Sequence, residues 1–224
     1  MKFFSKLSAV GAVLVLGTVF AAADTVTFGS YGASIGQDGA AVAPVAGQNT
    51  AVLYGGNGTY NIGSGASSVW APAGPNSSWI SYNPQTGPTG NVIAPNGTYT
   101  YTTTFTTAGG SYNGILSVLA DDTTNVLLDG NEIIPAGVIG SDTHCADGQP
   151  NCLLSGSFTF SNFLLSAGTH TLTFNVQQTG LVYEGLDFYG SISTSAPAPE
   201  PSTLMLLGTG LIGSAGALLR RMRA

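Results

Sequence analysis

Residues 97–107 read GTYTYTTTFTT. Tyr99, Tyr101 and Phe105 fall on one face of an extended chain, and threonines fill the other. Alternation with period two and β-branched filling is the mark of a half-buried strand. No window of the chain between its two ends holds an apolar period of 3.6, so long soluble helices are not expected. These eleven residues therefore set the class: all-β.

The pattern continues downstream. Asn113-Gly114 reads as a turn before a strand over Ile115 to Ala120. Thr124 to Leu128 leads into Asp129-Gly130, a strong hairpin signal, with Glu132 to Ile134 returning. Ser157 to Phe163 alternates, with Phe158 and Phe160 together. Ala167-Gly168 reads as a further turn into Thr169 to Val176, where Leu172, Phe174 and Val176 share a face with His170. Leu181 to Ile192 supplies a last strand or two. Upstream, Thr25 to Phe28, Ala51 to Tyr54 and Ser78 to Tyr82 are short β-prone patches, separated by loops that Pro72, Pro75, Pro84 and Pro88 enforce. Roughly six to eight short strands punctuated by turns predict an antiparallel β-sandwich or jelly roll.

Charge is segregated. The chain has five basic residues, Lys2, Lys6, Arg220, Arg221 and Arg223, all near its ends. Every acid lies between Asp24 and Glu200. The central part thus has no cation to neutralise phosphates, which excludes nucleic-acid binding, and no guanidinium for carboxylate recognition. Its stability must come from apolar burial and backbone ladders. Cys145 and Cys152 are the only cysteines, set in the polar loop HCADGQPNC. An even count in an exported chain favours a disulfide, which would pin a loop and not hold the fold. His144 beside Cys145 invites a metal reading, but two thiols and one imidazole in an oxidising compartment make a poor site.

The two ends carry the address. Lys2 and Lys6 precede an apolar run from Leu7 to Phe20 and small residues Ala21 to Ala23, the layout of a secretory signal peptide over residues 1–23. Removing it leaves residues 24–196 as one exported domain of adequate size for a core. At the other end, residues 196–224 read APAPEPSTLMLLGTGLIGSAGALLRRMRA. Leu204 to Leu219 is uncharged and covers roughly 24 Å as a helix, a little short of a ~30 Å hydrocarbon core. Flanking Ser202 and Thr203 and snorkelling arginines make it adequate as a single transmembrane helix. Arg220, Arg221 and Arg223 form a basic stop that stays cytoplasmic. Prolines at 197, 199 and 201 keep the peptide around Glu200 extended and accessible.

This tail resembles the sorting signal of PEP-CTERM proteins: Pro199, Glu200, Pro201, Ser202 and Thr203 match the signature, followed by the apolar helix and the arginine cluster. The resemblance covers residues 197–224. It implies an exosortase as partner, after signal peptidase, in a Gram-negative bacterium, with loss of the helix on processing. More loosely, ADDTTNVLLDGNEI with LLSAGTHTLTF resembles galactose-binding-like and PA14-like jelly rolls.

Candidate chemistry is sparse. Asp121, Asp122 and Asp129 are hard oxygen ligands of the kind Ca²⁺ takes, and the PA14-like resemblance implies such a role. The alternative is solvated turn carboxylates. Trp70 and Trp79 are candidates for stacking on carbohydrate rings, or else core residues. Asp121, Glu184 and Asp187 could supply a glycosidase pair, although nothing in the sequence sets them opposite one another. There is no Gly-x-Ser-x-Gly elbow and no catalytic residue is assigned. The expectation is an exported, non-enzymatic protein of the cell envelope, surface or biofilm matrix. A Ca²⁺-dependent carbohydrate-binding adhesin is the alternative and a secreted hydrolase the third reading.

Overall fold

Two long strands, Gly97–Asp121 and Gly156–Gln178, carry the architecture. A computed structural model describes residues 23–36, 49–63, 69–140, 145 and 147–195. The expected signal peptide, the sorting motif, the expected apolar helix, the arginine cluster and His144 lie outside the described residues. In chain order the strands are β1 (Thr25–Gly29), β2 (Ser34–Ile35), β3 (Leu53–Tyr54), β4 (Asn57–Gly58), β5 (Tyr60–Gly63) and β6 (Trp79–Ser81). Then come β7 (Gly97–Asp121), β8 (Thr123–Leu128), β9 (Asn131–Ile134), β10 (Gly156–Gln178) and β11 (Gly185–Thr194). Among the described residues there is no helix, and Asp24–Ser195 packs as one unit.

β7 and β10 are antiparallel along nearly their full lengths, from Gly97↔Gln178 to Val118↔Gly156. The first half of β7 and the second half of β10 form one layer with β3, β8 and β9. The other halves form a second layer with β11, which also pairs β1 and β6. All these pairings are antiparallel; β2 and β5 form a short parallel contact at the margin. The layers face each other through rings on strands that share no ladder. Phe28 of β1 meets Phe105 of β7 edge-on at 5.1 Å, and Phe174 of β10 stacks on Phe188 of β11 at 4.5 Å. Tyr101, Phe105, Leu172, Phe174 and Val176 are all buried, as the alternation of 97–107 and 169–176 requires. The result is an all-β antiparallel sandwich.

Two turns expected from sequence are not turns. At Asn113-Gly114 and Ala167-Gly168 the strands run straight through. The glycines serve to bend the ladder and to admit a neighbour. Gly109 and Gly110 have φ of 84° and 132°, and a Cβ on Gly109 would lie 2.7 Å from the amide nitrogen of Ala167 across the ladder. At Gly114 a Cβ would sit 2.0 Å from the Ser191 carbonyl oxygen of β11. Bent long strands, folded between two layers, replace the several short ones that a turn-by-turn reading predicts. The hairpin at Asp129-Gly130, in contrast, forms where expected. Its φ values of 50° and 81° fit the type I′ geometry that this dipeptide favours.

Candidate functional site

The Asp129-Gly130 hairpin closes one side of a shallow cavity of about 310 Å³. Leu128, Asp129, Asn131 and Ile133 come from the β8–β9 hairpin, and Phe163 to Ser166 with His170 come from β10 where it bends. His170 is fixed here because its strand turns it inward with Leu172 and Phe174, where its ring lies over Phe105 at 5.3 Å. Its Nδ1 meets Asp129 Oδ2 at 2.7 Å, and its Nε2 lies 3.0 Å from the Ser166 carbonyl oxygen and 3.2 Å from Thr107 Oγ1. A carbonyl can only accept, so Nε2 carries a proton. A carboxylate facing Nδ1 asks for a proton there too. The partners thus assign an imidazolium paired with an ionised Asp129.

The electrostatic surroundings of the pair agree. Burial works against charge on His170, but the hydrogen bonds to Asp129 and Ser166 and the attraction of Asp129 outweigh it, raising the pKa above the usual value. Burial also opposes charge on Asp129; hydrogen bonds from His170 and from the Thr171 amide outweigh it and hold the carboxyl below its usual range. Thr107 hands its own proton to the Ser166 carbonyl at 2.7 Å. The Thr107 hydroxyl is thus committed to the Ser166 carbonyl, and His170 meets its oxygen and not its proton.

Three other acids are fully interior. Glu184 accepts from Tyr101 at 2.7 Å and from Ser81 at 2.5 Å, and Ser81 accepts in turn from Thr86 at 2.6 Å. Burial pushes its carboxyl up to about 7, against the pull of those donors. Asp187 takes a hydroxyl proton from Ser30 at 2.7 Å and the Gly74 amide at 2.9 Å, and burial raises its pKa as well. Asp121 accepts from the Trp70 indole at 2.6 Å. Burial first, then a hydrogen bond with Asp122, pushes it up to about 9. With no Lys or Arg between residues 24 and 196 to compensate them, these acids are stabilised by neutral donors and by retaining protons.

The three residues named for Ca²⁺ do not converge: Asp121 and Asp122 are neighbours, and Asp129 lies apart from both. Asp121 is buried under Trp70, Asp122 accepts from the amide and hydroxyl of Thr179, and Asp129 stands at the opposite end of β8 against His170. Among the described residues no group of three acidic, His or Cys side chains could hold a metal ion. Of the two readings for Trp70 and Trp79, their placement is that of core residues. Both are buried, stacked on each other at 4.2 Å in a small cluster with Ile62, Leu119 and Cys152, so neither offers a ring face to solvent. Cys145 and Cys152 are joined as a disulfide with Cα atoms 5.4 Å apart, and Cys152 anchors its loop in that same cluster. The role of His170 was only half legible. Its face was readable from alternation, whereas its pairing across the layer to Asp129 needed the register Leu172↔Leu128.

Beyond the sandwich, residues 197–223 match the PEP-CTERM protein-sorting motif. The chain is therefore an exported all-β protein carrying a C-terminal sorting signal. That signal is the address read by exosortase, which makes the chain a membrane intermediate that is then sorted outward. No curated protein matches it in sequence. Among solved structures, the sandwich is distantly similar to the GH26-CBM35 β-(1,4)-mannanase of Podospora anserina, at 18% identity and a TM-score of 0.25 over 52% of this chain and 24% of that one. It is also distantly similar to a cycloisomaltooligosaccharide glucanotransferase of Paenibacillus sp., at 13% identity and 0.33 over 70% and 19%. A family 35 carbohydrate binding module of Clostridium thermocellum is likewise similar, at 10% identity and 0.28 over 64% and 88%. At such distances function has to be read from this chain's own residues.

Proposed function

We propose that this protein is a non-enzymatic component of the envelope, surface or extracellular matrix of a Gram-negative bacterium, delivered by signal peptidase and exosortase. The division into residues 1–23, 24–196 and 197–224 is part of that reading: a leader, a cargo and a removable address. What carries it is the placement of the sorting motif behind a domain whose His170, Glu184 and Asp187 are internally partnered. The imidazole of His170 is held as a donor at both nitrogens, and Glu184 and Asp187 have both oxygens bonded. No such group is left as a base or nucleophile, which speaks against the hydrolase reading. Separation of Asp129 from Asp121 speaks against the Ca²⁺-dependent adhesin in the form expected from sequence. Fractionation of producing cells tests the route: a Glu200→Ala variant should accumulate in the inner membrane, while the parent chain leaves it. Equal outward delivery of both would overturn the proposal.

A further inference from the structure

The hairpin cavity has an unusual charge balance for so acidic a domain. Its two ionic groups, the Asp129 carboxylate and the His170 imidazolium, lie 2.7 Å apart and cancel each other. Glu132, the nearest acid in sequence, is hydrogen-bonded to Asn125 at 2.8 Å and does not line the cavity. Among the described residues no lysine or arginine exists to attract an anion. A cation would meet a carboxylate already neutralised. The site is therefore matched to an uncharged ligand.

Its lining mixes apolar and polar groups. Phe163, Leu164, Leu165 and Ile133 form an apolar wall, and Leu164 is 79% exposed. Asp129, Asn131 and His170 supply the polar part of the lining. Asp129 is oriented by the Thr171 amide and by His170, with its side chain 44% exposed, so lone pairs remain for an outside donor. Asn131 is exposed, and among the described residues its amide reaches its own hairpin, at a long 3.5 Å to the Asp129 carbonyl. A ring with an apolar face and a rim of hydroxyls fills such a site: C–H against the wall, O–H to the carboxylate, and the amide acting as donor and acceptor at once. At about 310 Å³ the cavity lies at the low end of the ~300–1,000 Å³ range of small-molecule sites, room for one or two rings.

We infer that the hairpin cavity between β8–β9 and the bend of β10 is a binding site for a neutral saccharide, with Asp129 and Asn131 as its polar contacts and Phe163 and Leu164 as its apolar platform. The site would give the exported domain a handle on uncharged polysaccharide, and it rests on the matrix reading only for where that ligand is met. The test is titration of the full chain, held in a detergent without sugar headgroups, with cellobiose, lactose and maltose. Glucosamine and galacturonate serve as charged counterparts. At least one neutral disaccharide should saturate with a Kd of the order of 1 mM. Asn131→Ala, an exposed position, should weaken it at least about tenfold with the melting temperature unchanged, because an apolar side chain leaves the hydroxyls unpaired. Three results would overturn the inference: no saturation by any neutral sugar, tighter binding of either charged sugar, or an Asn131→Ala variant that binds as the parent does. Delivery of Asn131→Ala to the surface should be normal in every case, so failure here is distinct from failure of the sorting route.

Discussion

His170 is the one basic side chain among the described residues, and it is committed to Asp129. Its partners on every side are acceptors, so its proton belongs to the fold. The same holds for the interior acids. Glu184, Asp121 and Asp187 have raised folded values, so the native chain keeps protons that the unfolded chain loses from pH ~4 upward. Their stabilisation is complete below the unfolded values and is lost as pH climbs through about 7 for Glu184 and about 9 for Asp121. His170, also raised, acts in the same direction above its ordinary value near 6.5. Asp24 and Asp129 are lowered, so their contributions are present above about 3.8 and vanish as pH falls through the folded values. Thermal unfolding should therefore occur at the highest temperature near pH 4–5 and at steadily lower ones toward pH 9. Each retained proton steepens that slope by about 1.4 kcal/mol per pH unit. A Glu184→Gln variant should show a shallower decline between pH 5 and 8 than the parent. A flat or rising melting temperature over that interval would contradict the burial of these groups as acids.

β7 and β10 show what a local reading captures and what it does not. The faces of 97–107 and 169–176 were legible because alternation depends only on neighbouring residues. The lengths of the strands were not, since Asn-Gly and Ala-Gly look the same whether they reverse a chain or bend it. What decides is the opposite strand. Gly109 and Gly110 face β10 at its own bend, so both strands fold over together and the ladder survives. Gly109→Val should cost about 1–3 kcal/mol in chemical denaturation, through both the positive φ and the contact with Ala167. The equivalent change at the exposed position Thr106 should have little effect. The disulfide belongs to this scale as well. It closes a short loop, so reduction should lower stability by about 2–3 kcal/mol on the chain-entropy model and leave the far-ultraviolet signature of the sandwich unchanged. Trp70 and Trp79 were open to two readings because aromatic content says nothing of depth. Burial came from the loop that Cys152 anchors over the outer face of β7.

At the scale of the whole molecule, function was legible where charge is, and obscure where it is not. Every Lys and Arg lies within residues 1–23 or 197–224, and the sorting motif at residues 197–223 follows the sandwich and takes in the final arginines. The hairpin cavity could not be seen in advance, because Asp129 and His170 are 41 positions apart and meet only through the β8–β10 register. The separation of Asp121 from Asp129 predicts that EDTA leaves the melting temperature unchanged; a clear drop would place a structural metal in the fold. The address itself is tested most directly by intact-mass and C-terminal peptide spectrometry of the protein recovered from outside the inner membrane. Processing near Pro199-Glu200-Pro201 predicts a chain lacking residues 204–224. Recovery of the peptide through Arg223 and Ala224 on the exported protein would contradict it and leave a simple membrane anchor in its place.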